Sequence, residues 1–254
     1  MNFQLPHTPE RPAKPRPNGL TMVMDKGLSL REAEDLCDIS APYCDLLKLG
    51  FGTSLITNRL KEKIKLYKSA GLQPYFGGTL FEAFAVRNMI DDYRRLLDEY
   101  EMETVEISDG VMELDHELKC SYISTFSKSF TVLSEVGSKL KGKEISNEQW
   151  IEFMQTELNA GAWKVIAEAR ESGTIGIYND DGSANYELIL DIKKALNPDQ
   201  ILWEAPLKNQ QVWFIKLLGP NVNLGNIATN EIIPLETLRL GLRGDTLLSF
   251  LPNK

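Results

Sequence analysis

The chain predicts an α/β protein folded as a (β/α)8 TIM barrel, and three observations carry that expectation. Short apolar runs alternate with amphipathic stretches along the 254 residues. Eight such pairs occur, at roughly 30 residues per strand–helix unit, the size of a βαβ repeat. Neither GxGxxG nor GxxxxGK[ST] is present, so the competing doubly wound sheet lacks its nucleotide loop.

The elements follow in order. Residues 1–18 hold five of the twelve prolines, a density that forbids a helix or a central strand. They are expected as an extended arm ahead of a single barrel domain over residues 19–254. The arm is either a disordered tail or a strap whose Lys14 and Arg16 pack against a site or a neighbouring subunit. Strands are expected at 20–24, 45–49, 72–76, 104–107, 131–136, 163–169, 201–204 and 221–224, each followed by a helix. Ser29 and Glu32 form a capping box ahead of Leu30, Ala33 and Leu36. Ser54 is expected to cap a helix carrying Leu55, Ile56, Leu60, Ile64 and Tyr67, with Gly71 as its stop. Asp115 and His116 mark a helix start. Ser146 and Gln149 form a second capping box, followed by Trp150, Phe153, Met154 and Leu158 at helical spacing. Val212, Ile215 and Leu218 belong to a helix that ends at Gly219-Pro220.

Composition narrows the function classes. Hydrophobic residues at 43% and charged residues at 25% are ordinary for a soluble globular enzyme. Twenty-eight Lys and Arg against thirty-six Asp and Glu leave a net charge of −8, which disfavours a general nucleic-acid binder. An anionic substrate would need a local cationic pocket. Cys37, Cys44 and Cys120 have no CxxC spacing, which excludes a disulfide framework and a cysteine zinc site and points to a reducing cytoplasm. With only His7 and His116, neither a Ser-His-Asp triad nor a multi-histidine metal site is expected. No apolar run is long enough for a membrane span, and the N-terminus has no signal-peptide core.

A barrel enzyme carries its chemistry where strands end and βα loops begin. Those positions hold Asp25 and Lys26 after strand 1, Lys48 near the end of strand 2, and Gly77-Gly78-Thr79 after strand 3. Glu106, Ser108 and Asp109 close strand 4, and Glu135 closes strand 5. Glu168 and Arg170 close strand 6 on one face, Glu204 closes strand 7, and Asn221 and Asn223 lie on the expected strand 8. Carboxylates in the apolar contexts LSEVG, VIAEAR and ILWEAP are costly to bury alone. Converging on one mouth they would repel one another unless a cation joined them. Glu135, Glu168 and Glu204, on consecutive strands, are therefore expected to hold a hard, oxygen-liganded metal such as Mg2+; the alternative for each is a structural ion pair. Lys48, in DLLKLGFG, is expected to be desolvated, with a lowered pKa suited to proton transfer or a Schiff base, or else paired with one of these carboxylates. Gly77 and Gly78 let backbone amides approach an anion, or simply make a tight turn. Trp163 and Trp203 are expected to pack rather than stack on a ligand. The residues alone lead to a cation-assisted reaction on a small anion and name no substrate.

Longer motifs go further. KLGFGTSL (48–55), FGGTLFE (76–82), EISDG (106–110), LSEVGSK (133–139), EARESG (168–173), WEAPLKNQQ (203–211), GPNVNLGNI (219–227) and LETLRLGLRGDT (235–246) occur in an order that resembles the phosphosulfolactate synthase family from about Lys14 to Thr246. A Phe before the Glu is usual where this chain reads WEAP, and that exchange is tolerable. The resemblance implies a Mg2+-dependent (β/α)8 barrel, a carbon–sulfur lyase. Such an enzyme adds sulfite to C3 of phosphoenolpyruvate to give (2R)-phospho-3-sulfolactate, a step toward coenzyme M in methanogens and toward sulfolactate in bacteria. On position and chemistry, Glu135, Glu168 and Glu204 are expected as metal ligands, direct or through water. Lys48 would be the proton donor or would neutralise the enediolate, and Arg170 would hold phosphate or sulfite through its guanidinium fork. Gly77, Gly78 and Thr79 would be additional donors, with Asp25 as a further catalytic and Asn223 as a further substrate-binding candidate. The alternatives are a barrel relative of plant heat-stress-associated proteins that lacks this activity, and a barrel lyase or aldolase using a Lys48 Schiff base. A homo-oligomer is expected, with small anionic substrates and neither nucleic acid nor membrane as partner.

Overall fold

Two-residue alternation builds the barrel. In this computed structural model, which describes residues 3–112, 114–137, 145–170, 172–174 and 176–252, the strands are β1 (Thr21–Asp25), β2 (Leu46–Leu49), β3 (Gln73–Phe76), β4 (Thr104–Ile107), β5 (Thr131–Val136), β6 (Lys164–Ala167), β7 (Ile201–Glu204) and β8 (Leu224–Ala228). All pair in parallel, in the order β3-β2-β1-β8-β7-β6-β5-β4. The end strands β3 and β4 lie beside each other with no ladder between them among the described residues, so the barrel is nearly closed. The expected (β/α)8 architecture is the one observed. Successive side chains point to opposite faces of a strand. One set (Met22, Leu46, Tyr75, Leu133, Ile166, Leu202) fills the barrel as a small apolar cluster. The other set, with Val23, Leu47, Val105, Val132, Val165 and Trp203, joins the larger core under the helices.

The helices are α1 (Leu30–Ser40), α2 (Leu60–Ser69), α3 (Gly78–Ala85), α4 (Ile90–Glu99), α5 (His116–Phe126), α6 (Asn147–Asn159), α7 (Tyr186–Ala195), α8 (Lys208–Leu218) and α9 (Ile232–Arg239). Both capping boxes form, at Ser29/Glu32 and Ser146/Gln149, Asp115 caps α5, and Gly219 ends α8 at φ 91°. The helix after β2 differs from expectation. Ser54 is buried in a 3-10 turn, and α2 starts at Leu60 after a left-handed Arg59. Leu55 and Ile56 are therefore more than four-fifths exposed and form no helical apolar face. One helix per strand is also exceeded, since α3 and α4 both lie between β3 and β4.

The last strand is displaced as well. It occupies Leu224–Ala228 rather than 221–224; Asn221 lies in the turn after α8, and Asn223 O accepts from Trp203 N–H just ahead of the strand. The described part of the N-terminal arm neither hangs free nor reaches the C-terminal ends of the strands. It lies across their N-terminal ends, the foot of the barrel. There Arg11 pairs with Glu236 at 3.0 Å, Arg16 pairs with Asp45 at 3.1 Å, and Lys14 donates to the carbonyl of Ala41.

Candidate active site

The inward positions at the C-terminal ends of the strands continue the apolar series two residues further on. Leu46 leads to Lys48, Leu133 to Glu135, Ile166 to Glu168 and Leu202 to Glu204, while Thr104 leads to Glu106. All five charged groups are at least 94% buried. Lys48 Nζ lies 3.0 Å from Glu106, 3.3 Å from Glu135 and 3.6 Å from Glu204. Glu135, Glu168 and Glu204 each offer a carboxylate oxygen, and these oxygens lie within 4.8 Å of one another. The mouth opens into a cavity of about 450 Å3 lined by Lys48, Thr79, Glu168, Arg170, Glu204 and Asn226.

Electrostatics decide what this cluster can do. Burial works to lower the pKa of Lys48, but the fields of Glu106, Glu135 and Glu204 outweigh it and hold the group well above its ordinary value. The expected lowered pKa is thereby corrected, and the resting lysine is an ammonium rather than the free amine a Schiff base requires. At 4.8 Å and an effective dielectric of about 20, each pair within the glutamate trio repels by roughly 3.5 kcal/mol. Three such pairs amount to about 10 kcal/mol of mutual repulsion, which Lys48 offsets, while the desolvation of every buried charge adds to the cost. A dication held by the trio would relieve the repulsion among them. The donor set is all hard oxygen, which suits Mg2+ and does not suit a soft metal, so the residues fit such an ion.

The remaining expected site residues divide. Arg170 and Thr79 line the cavity. Gly77 and Gly78 are needed here, but for close approach: a Cβ on Gly78 would come within 2.2 Å of Ser108 Oγ, and one on Gly77 within 3.1 Å of Lys48 Cε. Their amides are engaged inside the protein, Gly77 N–H donating to Leu49 O at 3.0 Å and Gly78 N–H to Glu106 at 2.6 Å. Neither amide is aimed at a substrate anion. Asp25 is corrected too. It has the parity of Val23, so it faces the helices. There it accepts from Lys63 (2.7 Å), Tyr67 (2.9 Å) and the amides of Gly27 and Leu28, a fully occupied structural carboxylate. Asn223 lies at the foot, accepting from Leu20 N–H and donating to Asp199 O and Ile201 O. It is out of reach of the mouth because strand 8 begins only after it. Trp203 packs on Phe214 with ring centroids 5.1 Å apart, and Trp163 lies at the foot. Ser138 and Lys139, at the end of LSEVGSK, lie outside the described residues.

Some contributors were named by strand-end reading without a role, and others it did not name. Glu106 is the carboxylate nearest Lys48, and its inward parity with Thr104 was a readable signal. Beyond the last β4–β5 ladder pair, Ile107 with Ser134, Lys119 of α5 holds the splayed strand ends together. It bonds Glu135 O at 2.6 Å, Asp109 at 2.9 Å and Glu157 of α6 at 2.8 Å. Glu82 of α3 secures the other side, accepting from Ser108 Oγ and Val111 N–H. No strand-end pattern reports a lysine in the middle of a helix.

A larger cavity of about 740 Å3 lies at the foot, between the arm and the strand starts. Its charged groups are matched by the protein: Arg16 by Asp45, and Lys14 by the carbonyls of Ala41 and Cys44. Size therefore does not select the site here.

Comparison with known proteins identifies the family. The chain matches the family model described as (2R)-phospho-3-sulfolactate synthase (ComA) over residues 9–245. It is 44% identical over 246 residues to the phosphosulfolactate synthase of Methanothermobacter thermautotrophicus, covering 94% of this chain and 95% of that protein. It is 42% identical to the phosphosulfolactate synthase of Bacillus subtilis, covering 94% and 96%. Among solved structures, 3-hexulose-6-phosphate synthase from Salmonella typhimurium matches with a TM-score of 0.57 at 14% identity, over 88% of this chain and all of that one, a likeness of fold alone.

Proposed function

The chain belongs to the (2R)-phospho-3-sulfolactate synthase family, and on that premise we propose that it adds sulfite to C3 of phosphoenolpyruvate with the aid of Mg2+ at the barrel mouth. The observation that carries the reading is the gathering of Glu135, Glu168 and Glu204 within 4.8 Å of one another, next to the ammonium of Lys48. Bound there, Mg2+ would supply positive charge where the substrate carboxylate gains negative charge during attack. Arg170, on the cavity wall, would grip the phosphate or the sulfite with its planar fork. Sulfite sulfur forms the bond to C3, and the C2–C3 π pair moves onto C2 and its carboxylate. The Lys48 ammonium then delivers the proton that completes C2–H. No group leaves, and the phosphate ester is kept. Delivery from one fixed side of the cavity would give a single configuration at C2. In the reverse sense this is carbon–sulfur lyase chemistry.

The same ammonium argues against an aldolase-like Schiff base. Three free cysteines support work in the reducing cytoplasm, and no helix among the described residues is long and apolar enough to cross a membrane. Leu55 and Ile56, adjacent and exposed beside the mouth, support a homo-oligomer, which light scattering would detect as a mass above that of one chain.

The test is an addition assay. Purified protein is incubated with phosphoenolpyruvate, sulfite and Mg2+, with and without EDTA, and the products are weighed by mass spectrometry. The expected result is a sulfonated adduct that retains phosphate and disappears with EDTA. An adduct formed equally with EDTA removes the cation from the scheme, and no adduct from folded protein removes the reaction.

A further inference from the structure

The motif GPNVNLGNI places a second kind of donor at the mouth. The β1–β8 register runs Thr21 with Leu224 and then Val23 with Ile227, three residues of β8 against two of β1. The extra residue is a bulge, a device that re-aims a side chain. Asn226 takes it up with φ 55°, a left-handed conformation that Asn tolerates better than other side chains. Turned inward, Asn226 is 8% exposed and lines the mouth cavity with Lys48, Glu168, Arg170 and Glu204. Its Nδ2 donates to Ala169 O at 3.2 Å. Since a carbonyl can only accept, that bond settles which end of the amide is which. The oxygen faces the other way, is buried, and has no hydrogen-bond partner among the described residues. An amide oxygen left so costs about 1–3 kcal/mol, which a structural strand end has no need to bear.

An oxygen with lone pairs is repelled by the ionised oxygens of phosphoenolpyruvate and sulfite, which are acceptors too. It calls for a donor or a cation. We propose that Asn226 Oδ1 is the neutral fourth oxygen of the divalent-cation site formed by Glu135, Glu168 and Glu204, bonding the ion directly or through one of its waters. This rests on the cation reading above. Neutrality has a purpose: three carboxylates and a dication sum to −1, and a fourth carboxylate would repel the anionic substrates further.

The experiment is Mn2+ binding to the substrate-free, full-length protein, followed by electron paramagnetic resonance of the free ion. Asn226→Gly keeps the left-handed backbone and removes only the side chain, so folding is preserved. It is expected to weaken Mn2+ binding about tenfold. Asn226→Asp is expected to bind Mn2+ at least as tightly as wild type while raising KM for phosphoenolpyruvate, a split that a purely structural role would not produce. Wild-type Mn2+ affinity in Asn226→Gly, together with weakened binding in Glu204→Gln, would overturn the assignment of Asn226 and leave the cation site standing. No saturable Mn2+ binding to wild type, or unaltered binding to Glu204→Gln, would overturn the cation site and this inference together.

Discussion

The two ends of this barrel bury similar numbers of charged groups and use them in opposite ways. At the foot, cations are matched one to one with carboxylates, Arg11 with Glu236 and Arg16 with Asp45, or meet backbone carbonyls. Arg239 donates to Pro220, Val222 and Leu20, and Lys164 donates to Pro17 and Asp199. Each contact ties a loop or the arm to the strand starts. At the mouth, charged side chains meet each other, with four carboxylates around one described lysine. Burial alone therefore does not mark a functional site, since both ends are buried. What marks it is the convergence of like charges on one cavity, the only arrangement of the two, among the described residues, in which three acidic side chains crowd within 4.8 Å of one another.

The sharpest way to break this contrast is to remove Lys48. Lys48→Met should lower kcat/KM by about a thousandfold or more, the size of a lost general acid. It should also lower stability by about 3 kcal/mol, because buried carboxylates lose their partner; steady-state kinetics and urea unfolding measure the two. If activity survives, the mouth is not where the proton is delivered. Asp25→Asn makes the complementary point. Stability should fall by about 3 kcal/mol, while kcat/KM per folded molecule changes less than about threefold, because Asp25 faces the helices. A kcat that collapses in folded Asp25→Asn would return it to the catalytic set.

A smaller effect comes from the ion. Saturating Mg2+ should stabilise the protein by up to about 2.7 kcal/mol at a hundred times Kd, read as a rise in melting temperature, and Glu204→Gln should reduce that rise. The smallest effect belongs to the foot. Burial brings Lys164 down to about 8 despite the opposing pull of Asp199. Between about pH 8 and the ordinary lysine range near 10.5, the unfolded chain thus holds a proton that the folded chain has lost. The Lys164 contribution to stability should rise with pH across that window. Urea midpoints of wild type minus those of Lys164→Gln, followed from pH 8 to 10, should show that upward slope, and a flat difference would refute it.

Much of this was legible in the chain. Strands 2 to 7 lie where their apolar runs put them, and the inward glutamates follow from a period of two counted from Leu133, Ile166 and Leu202. The same counting from Val23 turns Asp25 outward, a step that strand-end position alone does not include. Strand 8 was harder to place because GNIA carries a glycine and a bulged Asn, whereas the preceding Asn-Val-Asn-Leu imitates a short strand. The Ser54 helix was misplaced because a capping residue is common, and whether it caps depends on where the chain must turn after β2.

By itself, then, the sequence determined the fold class, the alternation of faces and the residue types at the strand ends, since all three depend on contacts between near neighbours in the chain. Only the tertiary structure decided the partners. Lys48 meets Glu106, Glu135 and Glu204 because ring closure brings together side chains separated by 58 to 156 residues. Lys119 reaches the strand ends through helix packing, and Asn226 turns inward through a bulge set by the register against β1. Those are properties of the closed barrel, in which each distance depends on every strand at once.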